Sequence, residues 1–264
     1  MYDFAYERPD SIERAAALLA DDDIAMPIAG GMTLLPALKL RMAQPTCLVD
    51  LAGIDELRGV ASNGRSLTIG AMTPHADVAD DANVRERLPA LADLASRIGD
   101  PQVRNRGTIG GSLANNDPAA DYPAAVMGLG ATIVTTSREI PADDYFLGMF
   151  TTALEPGEII TQVRFPIPGR AAYAKFRHPA SGYAVVGVFV AATGADIRVA
   201  VTGAGGCVFR HSAMESALAG HFASDAVEGV KTDAAGLNSD MHASAEYRAH
   251  LVGVMAKRAI ASVS

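Results

Sequence analysis

Gln102-Val103-Arg104-Asn105-Arg106-Gly107-Thr108-Ile109-Gly110-Gly111-Ser112-Leu113-Ala114-Asn115 is the stretch on which the fold turns. It is rich in Gly, Asn and Arg and has few large apolar side chains beyond Val103, Ile109 and Leu113, so it reads as an exposed functional loop. Its glycines let backbone N–H groups approach a ligand with no Cβ in the way, and a nest of such amides binds phosphate oxygens. A single glycine turn more often serves packing. A second one, Ala29-Gly30-Gly31-Met32-Thr33, follows a strand-like run, and hydroxyls from Thr33, Thr108 and Ser112 add donors. Two such turns together point to a diphosphate ligand. Neither fits the dinucleotide GxGxxG fingerprint, and no GxxxxGK[ST] occurs, which argues against a Rossmann fold or a P-loop enzyme.

Working outward, an Asp10/Glu13 capping pattern and apolar residues at helical spacing predict a helix over 11–20. The run from Ile24 to Ile28, the glycine turn, a short helix within 32–42 and the run from Cys47 to Leu51 then read as strand, turn, helix, strand. Leu67 to Ala71 reads as a strand, and Thr73-Pro74 as an N-cap and first turn. Leu88, Leu91, Ala92, Ala95 and Ile98 keep helical period until Gly99-Asp100-Pro101. A small-residue helix is expected from Tyr122 to Leu129, with strands over 131–136 and 158–165. Pro166 and Pro168-Gly169 mark a boundary near 166–172. Beyond it lie strands at hairpin spacing, 172–177, 183–192 and 197–202, and helices near 211–219 and 243–261. Gly203-Ala204-Gly205-Gly206 reads as a structural loop.

The chain has 264 residues, 49% of them hydrophobic, which is ample for a core. Its 22 Lys+Arg against 30 Asp+Glu give a formal charge of -8, which repels phosphate backbones and anionic lipid. The absence of Trp and the 6% aromatic content disfavour stacking surfaces for single-stranded nucleic acid. No secretory signal opens the sequence, and the longest apolar stretch, Tyr183 to Thr193, is about half a bilayer span. Cys47 and Cys207 lie far apart, so a reducing cytoplasm is expected, and any iron–sulfur cluster must belong to a partner. The six histidines are scattered without metal-ligand spacing.

The glycine turns, together with Lys39-Leu40-Arg41, Leu48-Val49-Asp50-Leu51, Ile69-Gly70-Ala71, Asp117-Pro118-Ala119-Ala120-Asp121, Tyr183 to Gly187 and Arg198 to Gly203, resemble the FAD-binding subunit of the molybdenum hydroxylases. Within that xanthine dehydrogenase family the likeness is to the medium subunit of aerobic CO-dehydrogenase-type enzymes. The resemblance implies an α+β fold. Two N-terminal α/β subdomains of the vanillyl-alcohol-oxidase type, about 1–53 and 54–170, would hold FAD between them. A CO-dehydrogenase-flavoprotein-like domain of antiparallel strands and helices would follow over 171–264. It further implies that Ala29, Gly30, Gly31, Met32, Thr33, Leu34 and Leu35, with Thr108, Ile109, Gly110, Gly111 and Ser112, bind the FAD diphosphate. Asp121 would accept hydrogen bonds from the cofactor, Lys175 would sit near it as a cation, Ile98 and Ile160 would make apolar or backbone contacts, and Tyr183 would lie near the isoalloxazine ring. Met32 departs from the His often found there in the CO-oxidising type.

By the same resemblance, a large subunit carries the molybdenum cofactor and a small one two [2Fe–2S] clusters, in a dimer of heterotrimers, and electrons pass through FAD to NAD, a quinone or another acceptor. No acid/base side chain is then required of this chain. On the residues alone, Asp121 reads as a cap of the helix that starts at Tyr122, Lys175 as a solvated charge, and Tyr183 could be core. Arg104 and Arg106 could neutralise phosphate or bridge to the small subunit. Two rival functions remain: a standalone flavoprotein oxidoreductase, and an assembly subunit without flavin.

Overall fold

The computed structural model describes residues 1–263; Ser264, the last residue of the expected C-terminal domain, lies outside the described residues. The chain opens with β1 (Ala5–Glu7), α1 (Ile12–Ala20), β2 (Met26–Ile28), α2 (Leu34–Lys39) and β3 (Cys47–Asp50). The strands form a parallel sheet in the order β1-β3-β2. Ala15 and Leu19 of α1 pack with Val49, Ile54 and Leu57 beneath it. Ser11 caps α1 by accepting the Arg14 N–H, so the expected Asp10 cap is displaced by one residue.

Next come β4 (Val60–Ser62), β5 (Ser66–Gly70) and four short helices, α3 (His75–Asp80), α4 (Ala82–Arg87), α5 (Pro89–Ser96) and α6 (Pro101–Arg106). They lead into α7 (Ile109–Asn115), α8 (Tyr122–Gly128), β6 (Thr132–Thr135), β7 (Glu139–Pro141), α9 (Ala142–Tyr145), β8 (Phe146–Gly148), β9 (Thr151–Thr152) and β10 (Ile160–Pro166). The order β4-β5-β10-β6-β7 makes an antiparallel five-stranded sheet. Its buried face, with Leu67, Ile69, Val163 and Phe165, shares a core with Leu91, Leu113 and Tyr122 of the helices.

Three expectations are corrected in this region. Residues 102–116 are no exposed loop but two capped helices. Asp100 accepts the Val103 N–H at 2.9 Å ahead of Pro101, and Thr108 accepts the Gly111 N–H at 3.1 Å. The polarity that suggested a loop belongs to α6, which buries no residue, whereas α7 buries Ile109, Gly110 and Leu113. Thr73 does not cap α3, because its hydroxyl exchanges hydrogen bonds with the Gly59 backbone. Asp121 does not cap α8, because its carboxylate is taken by the side chains of Tyr173 and Lys175, on a strand much further along the chain.

The remainder is an antiparallel sheet of β11 (Arg170–Arg177), β12 (Ala184–Thr193), β13 (Asp196–Thr202) and β14 (Phe209–Arg210), with α10 (Ser212–Gly220) and α11 (Ala245–Ala261). Leu251, Met255 and Ala259 of α11 lie in one core with Val186, Val188 and Val190 of β12. The apolar stretch after Tyr183 is thus a central strand, and among the described residues no helix is long and apolar enough to cross a membrane. Gly203 opens the expected structural loop: its N–H donates to Pro118 O, and its carbonyl accepts from the buried Arg248 guanidinium. Thr202 donates to Ala120 O at 2.6 Å. This sheet therefore holds the 117–121 segment in place.

Candidate functional site: a cleft between the sheets

The two glycine turns lie against each other. A Cβ on Gly30 would sit 2.0 Å from Arg106 O and 2.8 Å from Gly107 Cα, so only glycine lets the loop after β2 reach the α6–α7 junction. Beside this contact opens a cleft of about 520 Å³, in the range of cofactor pockets. Its walls come from the loop after β2, the start of α3, the α6–α7 junction, residues 115–121, the approach to β10 and the loop between β11 and β12.

Of the residues expected to bind the cofactor, Ala29, Gly30, Gly31, Met32, Thr33, Leu34, Ile98, Thr108, Gly110, Gly111, Ser112, Asp121, Ile160 and Tyr183 line this cleft. Leu35, Ile109 and Lys175 do not. Leu35 packs under its own loop, its Cδ1 3.0 Å from where a Cβ of Gly31 would lie, and Ile109 is fully buried in the main core. Lys175 stands behind the wall, with Nζ 2.9 Å from Asp121 Oδ2 and 3.2 Å from Arg97 O. Arg104 and Arg106 also stay off the cleft, Arg104 donating to the carbonyls of Ile98 and Gly99.

Backbone polarity decides what the cleft can hold. In the chain as described, the N–H groups of Gly30, Gly31, Met32, Thr33 and Leu34 make no hydrogen bond. Consecutive free amides of this kind form an anion-binding concavity. The second turn differs: Ile109, Gly110, Gly111 and Ser112 donate to Thr73 O, Ala71 O, Thr108 Oγ1 and Thr108 O. The Thr108 N–H and the hydroxyl protons of Thr108 and Ser112 remain open there. No Lys or Arg lines the cleft, so an anion within it must be held chiefly by amide dipoles.

Three carboxylates, Asp117, Asp121 and Glu158, also line the cleft. Burial pushes the Asp121 carboxyl up against the pull of Lys175 and of Tyr173, whose hydroxyl donates to Oδ1 at 2.5 Å. Asp117 is also raised by burial. Burial acts likewise on Glu158, but hydrogen bonds from Arg138, Thr135 and the Glu155 N–H, with the Arg138 charge, outweigh it and hold the group at about 2. Tyr183, 45% exposed, also lines the cleft, its ring without a partner ring among the described residues. An anion-accepting loop in one cleft with a half-exposed aromatic and apolar Ile98 and Ile160 suits a ligand that carries both a diphosphate and a flat ring system.

The family comparison agrees with that shape. A family model described as FAD binding domain in molybdopterin dehydrogenase matches residues 2–168, and one described as CO dehydrogenase flavoprotein C-terminal domain matches 171–263. The chain belongs to this family. It is an oxidoreductase subunit whose cofactor is FAD. The carbon monoxide dehydrogenase medium chain of Hydrogenophaga pseudoflava is 37% identical, over 97% of this chain and 96% of that one. The nicotine 6-hydroxylase medium subunit of Paenarthrobacter nicotinovorans is 36% identical, over 97% and 95%. A solved carbon monoxide dehydrogenase from H. pseudoflava, lacking the Mo-pyranopterin moiety of its cofactor, superposes with a TM-score of 0.90 at 35% identity, over 99% and 97%.

Sequence reading missed His75, Asn115, Asp117, Glu158 and Ser181 as lining residues. Asp117 and Glu158 had a signal, the first in the quoted Asp-Pro-Ala-Ala-Asp segment and the second at the start of a strand. His75 had none beyond being one histidine on a short helix.

Proposed function

We propose that this chain is the electron-transfer subunit that binds FAD in the cleft, with the diphosphate on the free amides of residues 30–34. The single observation that carries this reading is that run of five unpaired N–H groups at the edge of a cofactor-sized cleft. FAD, when bound, supplies the ability to exchange electrons singly or in pairs. The chain's own residues bind and orient. Thr33, Thr108 and Ser112 add hydroxyl or amide donors to the phosphates, while Ile98 and Ile160 exclude water. Tyr183 covers the ring at the mouth. Asp121 accepts from the cofactor, and Lys175 and Tyr173 fix the carboxylate that does so.

The finer arrangement belongs to the same proposal. A small subunit with two [2Fe–2S] clusters would deliver electrons, a large subunit with the molybdenum cofactor would oxidise substrate, and the heterotrimer would pair into a dimer. NAD, a quinone or another acceptor would take the electrons at the flavin edge. The names of the relatives support a multi-subunit setting, being medium chains or subunits of complexes that act on carbon monoxide and nicotine. Their variety also supports placing substrate choice on another chain. Subdomain divisions near residues 53 and 170 and a cytoplasmic setting, in keeping with unpaired Cys47 and Cys207, complete the reading. The test is cofactor release from the chain purified with its partners. One FAD per chain, with no substrate oxidation by the chain alone, is expected; a complex that turns over substrate without flavin would contradict the proposal.

A further inference from the structure

His75 is the first residue of α3, 4% exposed, and it lines the cleft. Neither ring nitrogen hydrogen-bonds among the described residues, where Nδ1 is buried without any partner. A buried imidazole normally has both nitrogens satisfied. Its packing is nonetheless specific: the ring lies 5.2 Å from that of Tyr122, and a Cβ on Gly107 would come within 2.5 Å of Nε2. The glycine at position 107 therefore admits the imidazole to the very junction where Gly30 meets Arg106 and Gly107.

Two further facts fix what the ring can offer. Burial, with the nearby Arg104 charge, lowers the group to about 4, so it is neutral when the cleft is empty of anions. An orphaned acceptor is tolerated better than an orphaned N–H, so the buried Nδ1 carries the lone pair and Nε2 the proton. His75 is also the one lining side chain that can become cationic, since the cleft wall holds no Lys or Arg.

We propose that His75 is a ligand of the bound dinucleotide, its Nε2–H donating a hydrogen bond to a phosphate oxygen at the junction of the two glycine turns. The inference rests on placing the FAD diphosphate over residues 30–34. It assigns a partner to Nε2 of a buried polar ring and adds an imidazole N–H to the amide and hydroxyl donors of the cradle.

The test titrates the flavin-free full-length chain with FAD and with ADP, a probe that carries the diphosphate without the flavin. ADP should compete with FAD in the unaltered chain, and His75→Phe should weaken both by about tenfold, the value of one hydrogen bond to a charged group. Competition that survives unchanged in a His75→Phe chain with native circular dichroism would overturn the inference and leave the diphosphate reading standing. Failure of ADP to compete in the unaltered chain would overturn the diphosphate reading itself. Because the variant could disturb α3, the imidazole ¹⁵N resonances of the unaltered chain give a second measurement. The His75 Nε2 signal should shift on adding ADP, as a purely structural histidine would not, and a stationary signal would sink the proposal.

Discussion

The loop over residues 29–34 and the segment 108–112 both pair two glycines with a threonine, yet their backbones are used in opposite ways. In the first, five successive N–H groups have no partner among the described residues. In the second, four N–H groups are engaged, two of them across to Thr73 O and Ala71 O. A Cβ on Gly110 would lie 2.6 Å from Ala71 Cβ, so glycine there serves the seating of α7 on the strand end. One turn is a binding surface, and the other is the support that presents it. Similar motifs signal a close backbone approach, and only the hydrogen-bond accounting tells whether a ligand or the protein is being approached.

The contact between the turns should be the most sensitive point. Gly30→Ala forces a methyl group into the Arg106 carbonyl and is expected to cost about 3 kcal/mol, with loss of FAD, as seen by thermal unfolding and flavin content. A variant with unchanged melting temperature would show that the turns can part freely, which breaks the support role. The paired variants Thr108→Ala and Thr33→Ala separate the two uses more finely. Thr108 caps α7 through the Gly111 N–H, so its loss should cost about 1 kcal/mol of stability. Thr33 makes no cap bond, so its loss should leave stability within about 0.5 kcal/mol while weakening FAD binding in a titration. The reverse pattern would exchange the roles. Met32→His should have the smallest effect, with FAD stoichiometry unchanged, because the Met32 side chain is 37% exposed and its amide is the working group.

Much of this was legible in the sequence where periodicity is strong. The strands around Ile69, Val163 and Val188 and the C-terminal helix α11 are where the pattern puts them. The helices α6 and α7 were not legible: α6 buries no residue, and α7 carries Gly110 and Gly111, which lower helix propensity, so tertiary packing overrides local preference. The site was legible as segments but not as surfaces. Within Thr108 to Ser112, Ile109 turns into the core, and Leu35 turns under its own loop, as helical geometry requires of some residue in each run. Lys175 reaches the cleft wall only through Asp121, and nothing in a sequence says that a carboxylate stands between a cation and the cleft.

The central claim is that residues 30–34 are free amides awaiting a diphosphate while residues 109–112 are already bonded. Hydrogen–deuterium exchange of the full chain with and without FAD tests it directly. Fast exchange at 30–34 that becomes protected on adding FAD, beside protection at 109–112 in both states, is the predicted result. Exchange at 30–34 that FAD leaves unchanged would contradict it.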